Sequence, residues 1–351
     1  MSGYEYKLAG LFAATLIASL ATTPLMRALA LKLRIVDRPD ELKIHHKPIA
    51  YLGGASIVVV FLGGVLVGGI VIGTTALAAD AVFARMIGSI VLAALMVFGV
   101  GLLDDIRKVS PFLRLCVHTI AAAIVVSGGS WFSNLGAPLL AGPFTVVFIV
   151  VCINAMNLLD GMDGLASGVA VVASGSLAIL AFAQGDHIGA VMAISLVGAL
   201  AGFLYYNFHP ASIFLGDAGS GLLGLVLAIL AVNYNAAEGS SVALPVALLI
   251  LAIPLLDTSM AIWRRLSSGR SLSTGDRRHL YDVLLDMGMS QYMVWAGICG
   301  SSAIISVSAI ALARWPIAVS LAPILAEVVV LAFFAHHLRL WRFADADQCS
   351  S

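Results

Sequence analysis

The sequence is poor in charge. Only 11% of its 351 residues are Asp, Glu, Lys or Arg, against roughly 25% in soluble domains. Hydrophobic residues make up 61% of the chain, and its mean hydropathy is +1.03. These values exclude a soluble globular protein. Apolar runs of about 18–25 residues recur from end to end, and each can cross the hydrocarbon core of a bilayer as a helix.

The sequence also has no net charge and no recognisable cysteine motif. The 19 basic and 19 acidic side chains cancel, which gives no reason to expect nucleic acid as a partner. The four cysteines are scattered without C-x-x-C spacing, so neither a disulfide framework nor a zinc site is indicated. No low-complexity segment, repeat period or long linker divides the chain, so we predict a single domain over 1–351.

Hydropathy predicts an all-α, polytopic integral membrane protein with about eleven transmembrane helices. The predicted spans are 8–31, 52–77, 84–103, 112–128, 142–159, 164–183, 188–206, 220–235, 242–262, 292–313 and 317–338.

Positive charge predicts the orientation of these spans. All but Lys7, Arg85 and Arg314 of the Lys and Arg residues fall on one side. The positive-inside rule then places the N-terminus outside and the C-terminus in the cytoplasm. The longer polar segments, at about 32–51, 104–111, 207–219 and 263–291, all lie on the predicted inner side.

Acidic residues recur at the inner ends of the predicted helices. They are Asp104, Asp105, Asp160, Asp163 and Asp217. Adjacent carboxylates repel each other unless a cation or a shared proton compensates. Asp104-Asp105 is therefore either a site for a metal or for proton transfer, or a solvated cluster with the basic residues that follow it.

A polar stripe runs along the end of the fifth span and just beyond it. Asn154, Asn157, Asp160 and Asp163 step by three residues, which places them close to one line along a helix or its continuation. Polar side chains at this depth are costly, so the stripe indicates a ligand site. The alternative is a polar seam that neighbouring helices satisfy.

The eighth span begins at a glycine-rich polar segment, 207–221, that carries Asp217. Helix N-termini attract phosphate, and a carboxylate there suits a divalent cation that bridges to phosphate oxygens. Asp217 suits an ordinary helix cap equally well. In the inner segment 263–282, five arginines and a histidine suit either a diphosphate or anionic lipid.

Together these groups are what phosphoryl transfer at a membrane surface requires. Two other classes compete with this interpretation. A secondary transporter could couple ions through the same carboxylates, although the hydropathy shows no inverted repeat. A non-catalytic scaffold would leave the polar motifs without a reason.

Five motifs, at 37–54, 101–105, 154–166, 207–220 and 276–280, resemble the polyprenyl-phosphate N-acetylhexosamine-1-phosphate transferases in the same order. The resemblance covers nearly the whole chain and is closest to the N-acetylglucosamine branch. It implies an active site on the cytoplasmic face of the bacterial inner membrane. The implied reaction transfers a sugar 1-phosphate from a UDP-N-acetylhexosamine to undecaprenyl phosphate and releases UMP. The implied cofactor is Mg²⁺, which Mn²⁺ can replace, and a homodimer is compatible with the resemblance.

The same resemblance suggests roles for individual residues. Asp217 is the expected magnesium ligand, and Asp104 and Asp105 are expected to deprotonate or orient the lipid phosphate. Asp160 and Asp163 are expected to be further catalytic carboxylates. The expected substrate-binding residues are Lys43, His45, Asn157, Asn207, Arg265 and His279.

One departure from the family's motifs bears on which sugar is transferred. Many members have two further histidines after the first, as in His-x-His-His, whereas this chain has His279-Leu-Tyr281-Asp282. The peptidoglycan branch, which transfers MurNAc-pentapeptide phosphate, therefore fits least. The donor stays open between UDP-GlcNAc and other UDP-N-acetyl sugars, including deoxy sugars.

Overall fold

The computed structural model describes residues 3–37, 48–72, 81–132, 138–236, 243–269 and 278–338. These residues form helices α1 (Gly3–Leu33), α2 (Gly53–Ile72), α3 (Ala81–Ile106), α4 (Pro111–Gly128), α5 (Pro138–Leu159), α6 (Leu165–Gln184), α7 (His187–Asn207), α8 (Gly216–Ala236), α9 (Ala243–Ile250), α10 (Ala252–Ser267), α11 (Leu280–Asp286), α12 (Gln291–Leu312) and α13 (Ile317–His337). Two short antiparallel strands, β1 (Val36–Asp37) and β2 (Ile49–Ala50), pair with Val36 opposite Ala50.

The prediction of an all-α polytopic membrane protein is confirmed. Within the described ranges, ten helices are long and apolar enough to cross a membrane, or eleven if α9 and α10 form one span. That pair departs from the straight span predicted at 242–262, because the two helices meet at 77°. Pro254 lies in the first turn of α10 and has no N–H to continue a helix from α9.

Local signals explain where several helices begin and end. Ser110 precedes α4, and its Oγ accepts a hydrogen bond from the Leu113 amide at 3.2 Å. Asp186 caps α7 in the same way, and Gly185 ends α6 in a left-handed conformation. Short polar residues and glycine supply the hydrogen bonds and the backbone angles that helix ends require. The predicted helix boundaries therefore agree with the structure to within a few residues at these points.

Helix α8 lies at the centre of the bundle. It contacts α2, α3, α5, α6, α7 and α9, and 89% of its apolar window is buried inside the protein. Helix α13 is at the other extreme, with 17% of its window buried. Any residue at the start of α8 is therefore surrounded by the ends of several other helices.

The polar segments converge at one end of the bundle. We call this the polar end, formed by the last turns of α3, α5 and α7 and the first turns of α4, α6 and α8. The segment after β2 lies against the loop before α8: the Gly53 amide donates to the Phe214 carbonyl at 3.1 Å, and the Phe214 amide donates to the Ala50 carbonyl at 2.8 Å. The sequence segments that carry the predicted site are thus brought together, while the orientation of the termini stays a prediction.

Candidate active site

Carboxylates from two helices meet around one guanidinium group at the polar end. Asp104 lies near the end of α3, and its Oδ2 accepts a hydrogen bond from Nη1 of Arg114 at 2.9 Å. The same Nη1 donates to Oδ2 of Asp217 in the first turn of α8. Oδ1 of Asp217 accepts from Nδ2 of Asn157 at the end of α5, at 2.9 Å. The positive charge of Arg114 offsets the repulsion between the two carboxylates.

Asp105 is used differently from its neighbour. Its Oδ1 accepts from the Asp217 amide at 2.8 Å, and its Oδ2 accepts from the Ala218 amide at 3.1 Å. A carboxylate from α3 therefore occupies the N-terminus of α8, where it also interacts favourably with the helix dipole. Gly216 permits this approach, because a Cβ there would lie 2.6 Å from Oδ2 of Asp105. We call Asp104, Asp105, Asp217, Arg114 and Asn157 the carboxylate cluster.

This arrangement excludes one of the two interpretations of Asp217, the ordinary helix cap. An ordinary cap accepts hydrogen bonds from its own helix, as Asp186 does from the amides of Ile188 and Gly189 at 3.2 and 2.9 Å. The carboxylate of Asp217 bonds instead to Arg114 and Asn157, while Asp105 takes the α8 amides. Asp217 is therefore not the cap of α8. The Asp105 carboxylate accepts from the Asp217 and Ala218 amides in the first turn of α8, and phosphate binding at this helix end stays a prediction.

Asp160 lies in the turn after α5, close to the carboxylate cluster. Desolvation raises the pKa of Asp160 well above its usual value, and the neighbouring carboxylates, first Asp217 and then Asp105, act in the same direction. Burial likewise raises the pKa of Tyr51, with the Asp37 and Asp160 carboxylates acting in the same direction. Asp160 thus holds its proton to a higher pH than a free aspartate, and the Tyr51 hydroxyl stays protonated.

The structure places the residues of the polar stripe in different surroundings. Asn157 joins the carboxylate cluster, whereas Asn154 is exposed and donates to the Val150 carbonyl of its own helix at 2.7 Å. Helix α5 ends at Leu159, so the regular spacing stops there and the residues beyond it no longer share the stripe. Asn157 thus belongs to the carboxylate cluster and Asp160 lies beside it, whereas Asn154 does not contact it.

Asp163 and Asn207 hold the loop that leads to α8. Oδ2 of Asp163 lies 2.8 Å from Nδ1 of His209 and accepts from the Ala211 amide at 3.0 Å. Asn207 is buried; its Oδ1 accepts from Ser167 at 2.9 Å and its Nδ2 donates to the Ile213 carbonyl at 3.0 Å. Both side chains position the loop, and their direct contact with substrate stays a prediction.

The end of α10 and the start of α11 carry Arg265 and His279. Arg265 is buried in the last turn of α10. His279 is also buried, with Nδ1 2.6 Å from Oδ2 of Asp257. The His279 ring stacks on Tyr281 at 5.9 Å, and the Tyr281 hydroxyl lies against Gly161, the residue after Asp160. This segment therefore packs directly on the turn that carries Asp160.

Lys43 and His45 lie outside the described residues. The strands on either side of that segment, β1 and β2, are described, and β2 is hydrogen-bonded to the loop before α8. The roles of Lys43 and His45 stay predictions.

Two residues of this region were missed in the sequence. Arg114 follows Pro111-Phe-Leu at the start of an apolar span, and Asp257 follows Ile253-Pro-Leu-Leu in another. Ionisable residues inside apolar runs are rare and functional by default. Both residues could therefore have been singled out from the sequence, although the sequence does not show which side chains they contact.

The cluster suits a magnesium ion that arrives with substrate. Asp104 and Asp217 are close enough to share one cationic nitrogen, and both side chains are partly exposed. Over the ranges described above, no group of three or more His, Cys, Asp or Glu side chains has the arrangement of a metal site. Mg²⁺ often takes one or two carboxylates and completes its shell with phosphate oxygens and water. The residues present fit that mode of binding, and Mg²⁺ itself stays a prediction.

Comparison with known proteins adds independent findings. A family model described as glycosyl transferase family 4 matches residues 87–235. The probable undecaprenyl-phosphate N-acetylglucosaminyl 1-phosphate transferase of Bacillus subtilis is 32% identical over 336 residues, which cover 92% of this chain and 90% of the relative.

Two further relatives extend the comparison. The decaprenyl-phosphate N-acetylglucosaminephosphotransferase of Mycobacterium tuberculosis H37Rv is 33% identical over 86% of this chain and 83% of its own. The undecaprenyl-phosphate alpha-N-acetylglucosaminyl 1-phosphate transferase of Escherichia coli K12 is 26% identical, over 90% of this chain and 81% of the relative. The identity and coverage confirm the resemblance seen in the motifs: the chain belongs to glycosyl transferase family 4, together with these polyprenyl-phosphate sugar-phosphate transferases.

Proposed function

We propose that this protein transfers N-acetylglucosamine 1-phosphate from UDP-GlcNAc to undecaprenyl phosphate, giving a lipid-linked diphosphate sugar and UMP. The polar end faces the cytoplasm of a bacterial inner membrane in this proposal, in agreement with the positive-inside rule. The product would initiate a cell-envelope polysaccharide.

One observation carries the proposal most directly. Asp217, at the start of the most buried helix, faces Asp104 and Arg114 instead of capping its own helix. A mixed group of carboxylates and a guanidinium at the membrane surface suits a diphosphate with its cation. The relatives are named for undecaprenyl or decaprenyl phosphate and for N-acetylglucosamine phosphate, which supports the polyprenyl phosphate acceptor and the sugar in this proposal.

The cluster can position the reacting phosphates without a protein nucleophile. In the proposed reaction an oxygen of the lipid phosphate attacks the β-phosphorus of the donor, and the bond from that phosphorus to the oxygen bridging to UMP breaks. Phosphoryl transfer of this kind depends on alignment and on neutralising charge. Mg²⁺, when bound to Asp217 and Asp104, would supply much of the positive charge.

Protein side chains supply the rest. Asp105 accepts from the α8 amides, so in this proposal the side chains of Arg114 and Arg265 help to neutralise the diphosphate. The raised pKa of Asp160 favours its neutral form, which would reduce the negative charge that an incoming phosphate meets. Asn157 holds the Asp217 carboxylate in place from the side of α5.

The proposal is tested with the purified protein in detergent. Undecaprenyl phosphate, Mg²⁺ and a panel of UDP-N-acetyl sugars are supplied, and the lipid product and UMP are identified by mass spectrometry. We expect UDP-GlcNAc to give lipid-linked GlcNAc and UMP in equal amounts, and EDTA to stop the reaction. Formation of no lipid product from any UDP-sugar by folded protein would overturn the proposal.

A further inference from the structure

A buried carboxylate lies behind His279. Asp257, on α10, is 2% exposed and His279 is 4% exposed. Oδ2 of Asp257 is 2.6 Å from Nδ1 of His279, and Oδ1 accepts from the Leu280 amide at 2.7 Å. Both oxygens of Asp257 are therefore used to hold the junction between His279 and α11. Burying a carboxylate is expensive unless it is paired in this way.

The contact leaves one ring nitrogen available. Because a carboxylate accepts, Nδ1 must carry the proton that lies between the two groups. In the part of the chain that the structure describes, Nε2 has no hydrogen-bond partner, and this atom is not fully buried. Nε2 thus accepts a hydrogen bond when the ring is neutral and donates one when the ring is cationic.

His279 is connected through Tyr281 to the turn that carries Asp160. The ring stacks on Tyr281 with an angle of 9° between the planes, and the Tyr281 hydroxyl touches Gly161 beside Asp160. Arg264 lies two turns beyond Asp257 on the same face of α10 and is fully buried. The surroundings of His279 are those of a side chain held rigidly at the edge of a charged site.

We propose that Asp257 is a positioning residue for the transfer reaction. Its carboxylate holds the His279 ring through Nδ1, so that Nε2 is presented to the diphosphate of the sugar donor. This inference rests on the function proposed above. A carboxylate behind a histidine fixes the tautomer and the orientation of the ring in many enzyme sites.

A double-mutant cycle tests the inference. We expect Asp257→Asn and His279→Gln each to lower kcat by about 100-fold, because each removes the correctly oriented imidazole from the site. The double variant should be no slower than His279→Gln alone, since Asp257 acts through the ring. KM for UDP-GlcNAc should rise by up to about tenfold in both variants, less than kcat falls, because the contact is present in the ground state and strengthens in the transition state.

Asp282 provides a matched control. It is a carboxylate in the same helix turn, but its Oδ2 accepts from the backbone amide of His279 at 3.2 Å and not from the ring. Asp282→Asn should therefore keep kcat within about threefold while it weakens the cap of α11. Losses that multiply in the double variant, or equal losses in Asp257→Asn and Asp282→Asn, would overturn the inference.

The outcomes separate the inference from the proposed function. If the wild-type protein forms no lipid-linked sugar, the proposed function fails, and UMP affinity measured by calorimetry across the same variants still tests the pair. Weaker UMP binding in Asp257→Asn, with no further loss in the double variant, would support it. Unchanged UMP binding in both single variants would count against it.

Discussion

Helices α8 and α13 are both predicted to span the membrane, yet their surroundings are opposite. The apolar window of α8 has a mean hydropathy of 1.5 and is 89% buried in protein, whereas that of α13 has 2.3 and is 17% buried. The less hydrophobic helix is thus the central one. Lipid is as apolar as a protein core, so hydropathy selects which segments enter the membrane but does not rank them by burial in protein.

The polar residues of the two helices also differ in their surroundings. Helix α8 carries Asp217 in its first turn, and this side chain contacts side chains from α4 and α5. The described part of α13 ends at His336 and His337, far along the chain from every motif of the resemblance. We therefore expect substitutions in and around α8 to change both activity and stability, and substitutions in the middle of α13 to change little.

The largest expected effect is at the start of α8. Asp217→Asn should lower the rate of lipid-linked sugar formation by about 1,000-fold, because the neutral amide no longer attracts the cation and the diphosphate. Asp186→Asn is the matched control, since it changes another aspartate at a helix N-terminus to a residue that caps equally well. Comparable losses in the two variants would show that Asp217 has no special role.

Arg114→Gln should have the next largest effect. Removing the guanidinium leaves Asp104 and Asp217 close together without a compensating charge, and we expect about a 100-fold loss of activity and a lower melting temperature in EDTA. Added Mg²⁺ should raise the melting temperature of this variant more than that of the wild type. Arg107→Gln changes an exposed arginine nearby and should do neither. An unchanged melting temperature in Arg114→Gln would contradict the cluster described above.

A pair of leucines compares the two helices directly. Leu225, in α8, is fully buried, and Leu325, in α13, is 53% exposed. Leu225→Ala should cost about 2–5 kcal/mol of stability by leaving a cavity. Leu325→Ala should cost less than about 0.5 kcal/mol, because lipid fills the space. Chemical unfolding in mixed micelles measures both; equal costs would remove the distinction between a central and a peripheral helix.

The smallest expected effect concerns pH. The pKa of Asp160 is raised in the folded protein, so the stabilisation from its proton is complete below the unfolded value of about 3.9 and is lost as pH rises through the raised value. The melting temperature of the wild type in EDTA should therefore fall with rising pH. Asp160→Asn, which cannot ionise, should show a shallower fall. Parallel curves would mean that Asp160 is not desolvated.

Much of the fold and part of the site could be predicted from the sequence. The spans followed from hydropathy, and the motifs placed Asp104, Asn157 and Asp217 in one site, where the structure finds them in contact. The bend between α9 and α10 was missed because both helices are apolar and only Pro254 marks the break. Helix α11 was missed because it lies in a polar segment and is seven residues long.

The different contacts of the individual carboxylates could be assigned only from the three-dimensional structure. Asp104 and Asp105 are adjacent in sequence, but one pairs with Arg114 and the other caps α8. Successive residues of a helix point in directions about 100° apart, so neighbours in sequence meet different helices. Asp257 and His279 are separated by 22 positions and meet only because α10 and α11 fold against each other.

By itself, the sequence determined that this chain enters a membrane as many helices and places its ionisable groups near their ends, because burying charge in lipid is costly wherever it occurs. It also determined the family, through motifs that keep their order along the chain. Only the tertiary structure decided which helix is central, which carboxylate caps a helix and which one faces a guanidinium. Those outcomes depend on packing between helices, and transfer from water to lipid does not distinguish among them.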